Sequence, residues 1–173
     1  IDNEQLKKGL EGKKLFFIGG CDLSFLKEYV QQNLISECLL TFEYGGSSNP
    51  LLEVKDEQSE LWSFCPDVVI LSHNMQIRNY IKELQLHPVT YQDQDVQLQE
   101  IKNTFSETIK ALRQKEITGP IVLLTFPLVY RPTLGAFEYH SNTTGYSLIE
   151  FLAKLQLTVY DVAKNFDDVF VLN

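Results

Sequence analysis

Three short polar stretches carry the groups with which this sequence could do chemistry, and each closes an apolar run. Gly19-Gly20-Cys21 follows Leu15-Phe16-Phe17-Ile18, Gly45-Gly46-Ser47 follows the run from Cys38 to Tyr44, and Ser72-His73-Asn74 follows Asp67-Val68-Val69-Ile70-Leu71. A thiol between an apolar strand and the start of a helix meets unpaired N–H groups and the positive end of the helix. Both favour the thiolate, the nucleophilic form. The glycines before Cys21 allow a tight turn and the close approach of a substrate. Backbone N–H groups in the Gly45-Gly46-Ser47 loop, and the side-chain amide of Asn74, could serve a developing oxyanion. Plainer roles fit the same residues. A free cysteine is often a small buried residue, a glycine pair is often only a turn, and an asparagine at this position can cap a helix or form an Asx-turn.

The other reactive side chains are weaker candidates. His73 should point away from Asn74 if the segment stays extended, because side chains alternate along a strand. His140 lies in the long loop after the fourth apolar run, and neither histidine has a recognisable carboxylate beside it to orient it as a base. His87, before Pro88, reads as a loop residue, and Asp22 most simply caps the helix after Cys21. Cys38, inside a strand, and Cys65, at a helix end, read as structural. Phosphate-binding glycine loops, dinucleotide fingerprints, His-Glu-x-x-His and paired-cysteine metal spacings are all absent, so no cofactor or metal is expected in this domain.

These residues need elements to position them, and the sequence supplies an alternating set. Strands are expected at 15–18, 38–44, 67–72, 121–126 and 169–172, and helices at 22–34, 54–64, 93–116 and 147–166. In the long helix Val96, Ile101, Phe105, Ile109 and Leu112 are expected to form the buried stripe. Pro66 should stop the helix before the third strand, and Gly119-Pro120 the helix before the fourth. The order is βαβαβαβαβ. The strands read as continuous apolar runs, which predicts burial on both faces. Right-handed crossovers then give a three-layer αβα fold with a five-stranded parallel, doubly wound sheet. In such a sheet, sites form beyond the carboxyl ends of the strands, which is where all three polar stretches stand.

Composition narrows the function classes. The 173 residues suit one domain, and 44% hydrophobic content is enough for a real core. A formal net charge of −8 disfavours nucleic-acid and membrane-surface partners. No apolar run is long enough to span a bilayer, and the first residues lack a signal-peptide layout. Three widely spaced cysteines make neither a disulfide framework nor a metal knuckle, so a reducing, cytoplasmic setting is expected. The chain begins with Ile1 rather than Met and reads as a piece of a larger protein.

Taken as an ordered set, Gly19-Gly20-Cys21, Gly46 and Ser72-His73-Asn74 resemble the first three blocks of the SGNH/GDSL superfamily. Those blocks supply a nucleophile, a backbone oxyanion donor and an asparagine oxyanion donor. The resemblance therefore implies Cys21 as nucleophile, with Gly46 and Asn74 as the donors. Longer stretches resemble the N-terminal domain of FkbH-like proteins. They are Phe42-Glu43-Tyr44-Gly45-Gly46, Ser59 to Leu71 (with Trp62-Ser63-Phe64-Cys65-Pro66-Asp67 at its centre), Pro132-Thr133-Leu134-Gly135-Ala136-Phe137-Glu138-Tyr139, and Asp168-Val169-Phe170-Val171-Leu172-Asn173. Such proteins join an SGNH-like domain to a HAD-type phosphatase domain and serve polyketide pathways. The resemblance implies that residues 1–173 form a single SGNH-like acyltransferase domain, with a C-terminal HAD-type domain elsewhere in the protein. It implies a glyceryl unit taken from 1,3-bisphosphoglycerate or a similar acyl phosphate, held on Cys21 as a thioester and passed to the phosphopantetheine thiol of an acyl carrier protein. The Asp-x-x-His block and the Asp-x-Asp-x-Thr motif of these families do not occur in the sequence. A thiol esterase on the same scaffold and a non-catalytic module that docks a carrier protein are the alternatives.

Overall fold

The computed structural model describes residues 12–19, 41–45, 49–72, 89–125 and 145–172. Along them run β1 (Lys14–Ile18), β2 (Thr41–Tyr44), α1 (Pro50–Lys55), α2 (Glu60–Phe64), β3 (Val68–Leu71), α3 (Tyr91–Gln114), β4 (Ile121–Leu124), α4 (Leu148–Ala163) and β5 (Val169–Leu172). All the strand pairs are parallel, in the order β2-β1-β3-β4-β5. The chain winds outward from β1 in both directions, so the sheet is doubly wound and its switch point falls between β1 and β3. The expected fold class is the one observed. The segment 22–34, expected as a helix, lies outside the described residues.

Register explains the core. Phe16, Val69, Ile121 and Val169 pair across one row, and Ile18, Leu71, Leu123 and Val171 across the next. Successive side chains on a strand alternate between faces, so both rows lie on the same face of the sheet. On that face pack the apolar stripes of α3 (Leu98, Ile101, Phe105, Ile109, Leu112) and α4 (Phe151, Leu152, Leu155, Val159, Val162), together with Val54 and Leu61. Both long helices begin with a capping box: Thr90 with Asp93, and Ser147 with Glu150. In each, the cap hydroxyl accepts from a first-turn N–H while the acidic residue accepts from the cap's own N–H.

Four local expectations need correction. The single helix over 54–64 is two short helices. Asn49 caps the first, with Pro50 at its start, and the chain breaks at Asp56, whose carboxylate accepts from Gln58 N–H at 2.9 Å. Ser59 then caps the second. Val96 is not on the buried stripe of α3 but half exposed, because the stripe runs through Gln94, Leu98, Ile101, Phe105 and Thr108. Burial on both faces fails at β5, an edge of the described sheet, where Phe170 and Leu172 are 55% and 57% exposed while Val169 and Val171 face the core. Cys65 does stand at a helix end as expected, but it is exposed, in the left-handed region at φ 49°, with its thiol 3.0 Å from the Trp62 carbonyl.

Candidate functional site

The carboxyl edge of the sheet is built by backbone ladders that continue one residue past the strands. Gly45 N–H donates to Phe17 O at 2.8 Å, Ser72 N–H to Ile18 O at 2.8 Å, and Thr125 N–H to Leu172 O at 3.0 Å. The ends of β2, β1 and β3 are thereby fixed side by side at the switch point, with Gly19, Gly45 and Ser72 the last described residues on each. Gly19 is glycine for a steric reason. A Cβ there would sit 2.2 Å from the ring of Phe17, so no larger residue fits without shifting that ring. Ser72 is fully buried.

Cys21, Gly46 and Asn74 follow these ends by two, one and two residues, and all three lie outside the described residues. So do His73, His87, His140, Asp22 and Cys38. The structure thus brings together the three strand ends from which the predicted site residues follow. Among the described residues no group of three or more His, Cys, Asp or Glu side chains is placed to hold a metal ion. No helix among them is long and apolar enough to cross a membrane.

One feature of this edge is not among the residues the sequence singled out. A cleft of about 700 Å³ opens at the end of β2, lined by Glu43, Tyr44, Gly45, Glu53, Asp56 and Ser59 among others. Glu53 lies inside α1 yet is only 6% exposed. The Ser59 hydroxyl donates to its Oε1 and accepts from Leu61 N–H at 3.1 Å. One hydroxyl therefore anchors the carboxylate and starts α2. A sequence signal was present in Asn49-Pro50 and Ser59, two helix-start patterns ten residues apart.

Behind the edge, the long helices are tied together. Gln94, fully buried, donates from Nε2 to Tyr146 O at 3.0 Å, and its Oε1 accepts from Tyr146 N–H. The Tyr146 ring stacks edge-on against Tyr91, with centroids 4.7 Å apart, and lies beneath the Lys154 ammonium at 4.3 Å. α3 ends close before β4 at the amino edge of the sheet. At about 1.5 Å per residue its 24 residues run back roughly 36 Å, which puts this clamp at the carboxyl end.

Comparison with known proteins gives a fold and no family. No family model matches the chain, and no curated protein sequence matches it. Among solved structures, the N-terminal part of the protein BF1531 from Bacteroides fragilis, described as containing a phosphatase domain and complexed with Mg, is similar over 95% of this chain, with 15% identity and a TM-score of 0.63. The chain spans 41% of the length of that structure. TesA is similar over 88% of this chain and 74% of its own, with 12% identity and a TM-score of 0.51. At these identities the likeness is one of fold: a parallel α/β sheet flanked by helices.

Proposed function

We propose that this is an SGNH-like acyl-transfer domain that works through a cysteine thioester. The observation that carries the reading is the register at the switch point, which brings together the ends of β1, β2 and β3 at Gly19, Gly45 and Ser72, one or two residues before Cys21, Gly46 and Asn74. The fold likeness to TesA and to part of a protein that contains a phosphatase domain supports it.

In the proposed reaction the Cys21 thiolate attacks the carbonyl carbon of an acyl phosphate such as 1,3-bisphosphoglycerate. The tetrahedral oxyanion is met by the Gly46 N–H and the Asn74 amide. As it collapses, the carbon–oxygen bond to phosphate breaks and inorganic phosphate leaves, which needs little protonation. A thioester remains on Cys21. The phosphopantetheine thiol of an acyl carrier protein, giving up its proton, then attacks the thioester and Cys21 departs as thiolate. A thiol needs a general base less than a serine does, because its ordinary pKa is already about 8.5. In the proposed larger protein, a HAD-type domain would remove the remaining phosphate of the glyceryl unit.

The test is intact-protein mass spectrometry after incubation with 1,3-bisphosphoglycerate generated in situ, with Cys21→Ala alongside. A phosphoglyceryl adduct on the wild type that is lost in the variant is the expected result. A folded wild-type protein that takes up no adduct refutes it. A second reading on the same scaffold has water accept the acyl group. Sustained turnover of simple thioesters in the absence of a carrier protein would select that reading.

A further inference from the structure

We infer that β5 is the docking edge for a second copy of this chain, which adds its own β5 antiparallel across a two-fold axis. The inference is independent of the acyl-transfer reading. Ile121 N–H donates to Asp168 O at 3.0 Å, and Thr125 N–H to Leu172 O at 3.0 Å. A parallel ladder engages alternate residues of a strand, so Asp168, Phe170 and Leu172 turn their backbone groups toward β4. Val169 and Val171 turn theirs the other way, where no strand among the described residues pairs with β5. Two N–H donors and two carbonyl acceptors therefore line this edge.

The edge carries none of the side chains that keep sheet edges apart. Val169-Phe170-Val171-Leu172 holds no charge and no proline, and these are the usual protection of an exposed edge. The opposite edge, β2, does carry a charge, Glu43. Register sets Phe170 in one row with Phe17, Ile70 and Val122, and Leu172 beside Leu124. Because side chains alternate, these residues lie on the face away from α3 and α4. Phe17 is buried there, while Phe170 and Leu172 are more than half exposed.

The sequence of the strand selects its occupant. A two-fold axis perpendicular to the sheet keeps each face on its own side, so residues that meet across it must point to the same face. Centred on Phe170, the pairing sets Val169 opposite the partner's Val171 and Val171 opposite the partner's Val169. All of these turn their backbone groups outward, so each pair exchanges two hydrogen bonds, four in all. Phe170 then meets the partner's Phe170 at a non-hydrogen-bonded position, with Cα atoms about 4.5 Å apart, and the two exposed rings cover each other. Antiparallel order also sends Asp167 and Asp168 of the two copies to opposite ends. A parallel pairing would set these acids side by side in a chain of net charge −8. The contact is isologous and closes at two copies, with the carboxyl edges of the two sheets pointing in opposite directions.

The experiment begins with sedimentation equilibrium of the whole chain, which should show a concentration-dependent balance of monomer and dimer at up to about 1 mM, the weak range that suits so short an edge. Phe170→Lys sets like charges across the axis and should raise the dissociation constant at least about tenfold. Leu157→Lys, an equally exposed position on α4, should leave it unchanged. A second measurement reads the register. Phe170→Cys, oxidised with glutathione disulfide, should give a covalent dimer linked between the two positions 170, identified by peptide mass mapping so that the native cysteines are told apart. Leu172→Cys should not link to itself, since the two positions 172 stand roughly 13 Å apart along the strands. A monomer at every concentration overturns the inference. So does a dimer that Phe170→Lys leaves intact, or one that fails to link through position 170. If Phe170→Lys does not fold, the cysteine pair decides alone.

Discussion

Replacing Gln94 with Met should cost this domain about 2–4 kcal/mol, from two hydrogen bonds and little else, at about 1–2 kcal/mol for each bond lost in a buried setting. Gln94 is fully buried and spends both ends of its amide on the backbone of Tyr146, 52 residues away. Methionine is close to glutamine in length and volume, so the change opens no large cavity. It removes the donor to Tyr146 O and the acceptor for Tyr146 N–H. For a domain of this size, 1 kcal/mol corresponds to about 2–4 °C in Tm, so thermal unfolding followed by circular dichroism should fall by about 4–16 °C. Gln94→Glu sharpens the test. An ionised carboxylate can still accept from Tyr146 N–H but faces the Tyr146 carbonyl with a second acceptor, while a protonated one can donate to it as glutamine does. The deficit of Gln94→Glu should therefore shrink as pH is lowered toward 5, relative to wild type at the same pH, and that of Gln94→Met should not. A Tm drop under 2 °C in Gln94→Met, or equal pH dependence of the two variants, would refute the idea that this amide clamps α3 to the start of α4.

Asn74→Ala should slow acylation of Cys21 by about 10²–10³-fold, the usual cost of one oxyanion donor, and an unchanged rate by rapid-quench mass spectrometry would remove it from the reaction. Arg113 binds the carbonyls of Ile117 at 2.6 Å, Gly119 at 2.7 Å and Asp167 at 3.3 Å, holding the entries to β4 and β5 at the edge away from the site. Arg113→Met should lower stability to urea by about 2–4 kcal/mol while the acylation rate per folded molecule stays the same. Asp67 is held below the ordinary aspartate range chiefly by the Lys14 N–H, which donates at 2.8 Å, and by the Lys13 ammonium at 3.3 Å. A depressed pKa contributes stability above the unfolded-state value of about 4, and that stability is lost as pH falls through the folded-state value. Urea titrations from pH 6 to 2.5 should accordingly show a shallower acid decline in Asp67→Asn than in wild type.

How much of this was legible in the sequence follows from the range over which each feature is determined. The strands β1, β3, β4 and β5 could be read because apolar runs broken by Gly, Pro and Asp are local signals. The start of α4 could be read from Ser147 ahead of an apolar period for the same reason. Parallel order also followed, since alternating strands and helices leave few other ways to bury both. The split between α1 and α2 was missed although Asn49, Pro50 and Ser59 announce it, because the apolar spacing across 54–64 suits one helix as well as two and only the Asp56 turn decides between them. Val96 was misplaced because a stripe 24 residues long can be drawn along more than one line until a partner surface selects the face.

The sequence by itself determined the types of group and their order along the chain: a thiol, a glycine pair and an asparagine, each after a strand. What only the tertiary structure decided is which of those strand ends are neighbours. Register is a pairing between residues dozens of positions apart, and it pairs Phe17 with Tyr44 and Ile18 with Leu71, so that Gly45 N–H bonds to Phe17 O and Ser72 N–H to Ile18 O. The same long-range packing turned Glu53, an unremarked acidic residue at the front of a predicted helix, into a buried carboxyl group against the glycine turn. Polar side chains such as Glu53 and Gln94 leave no periodic trace when buried, because their burial depends on a partner that the local sequence does not contain.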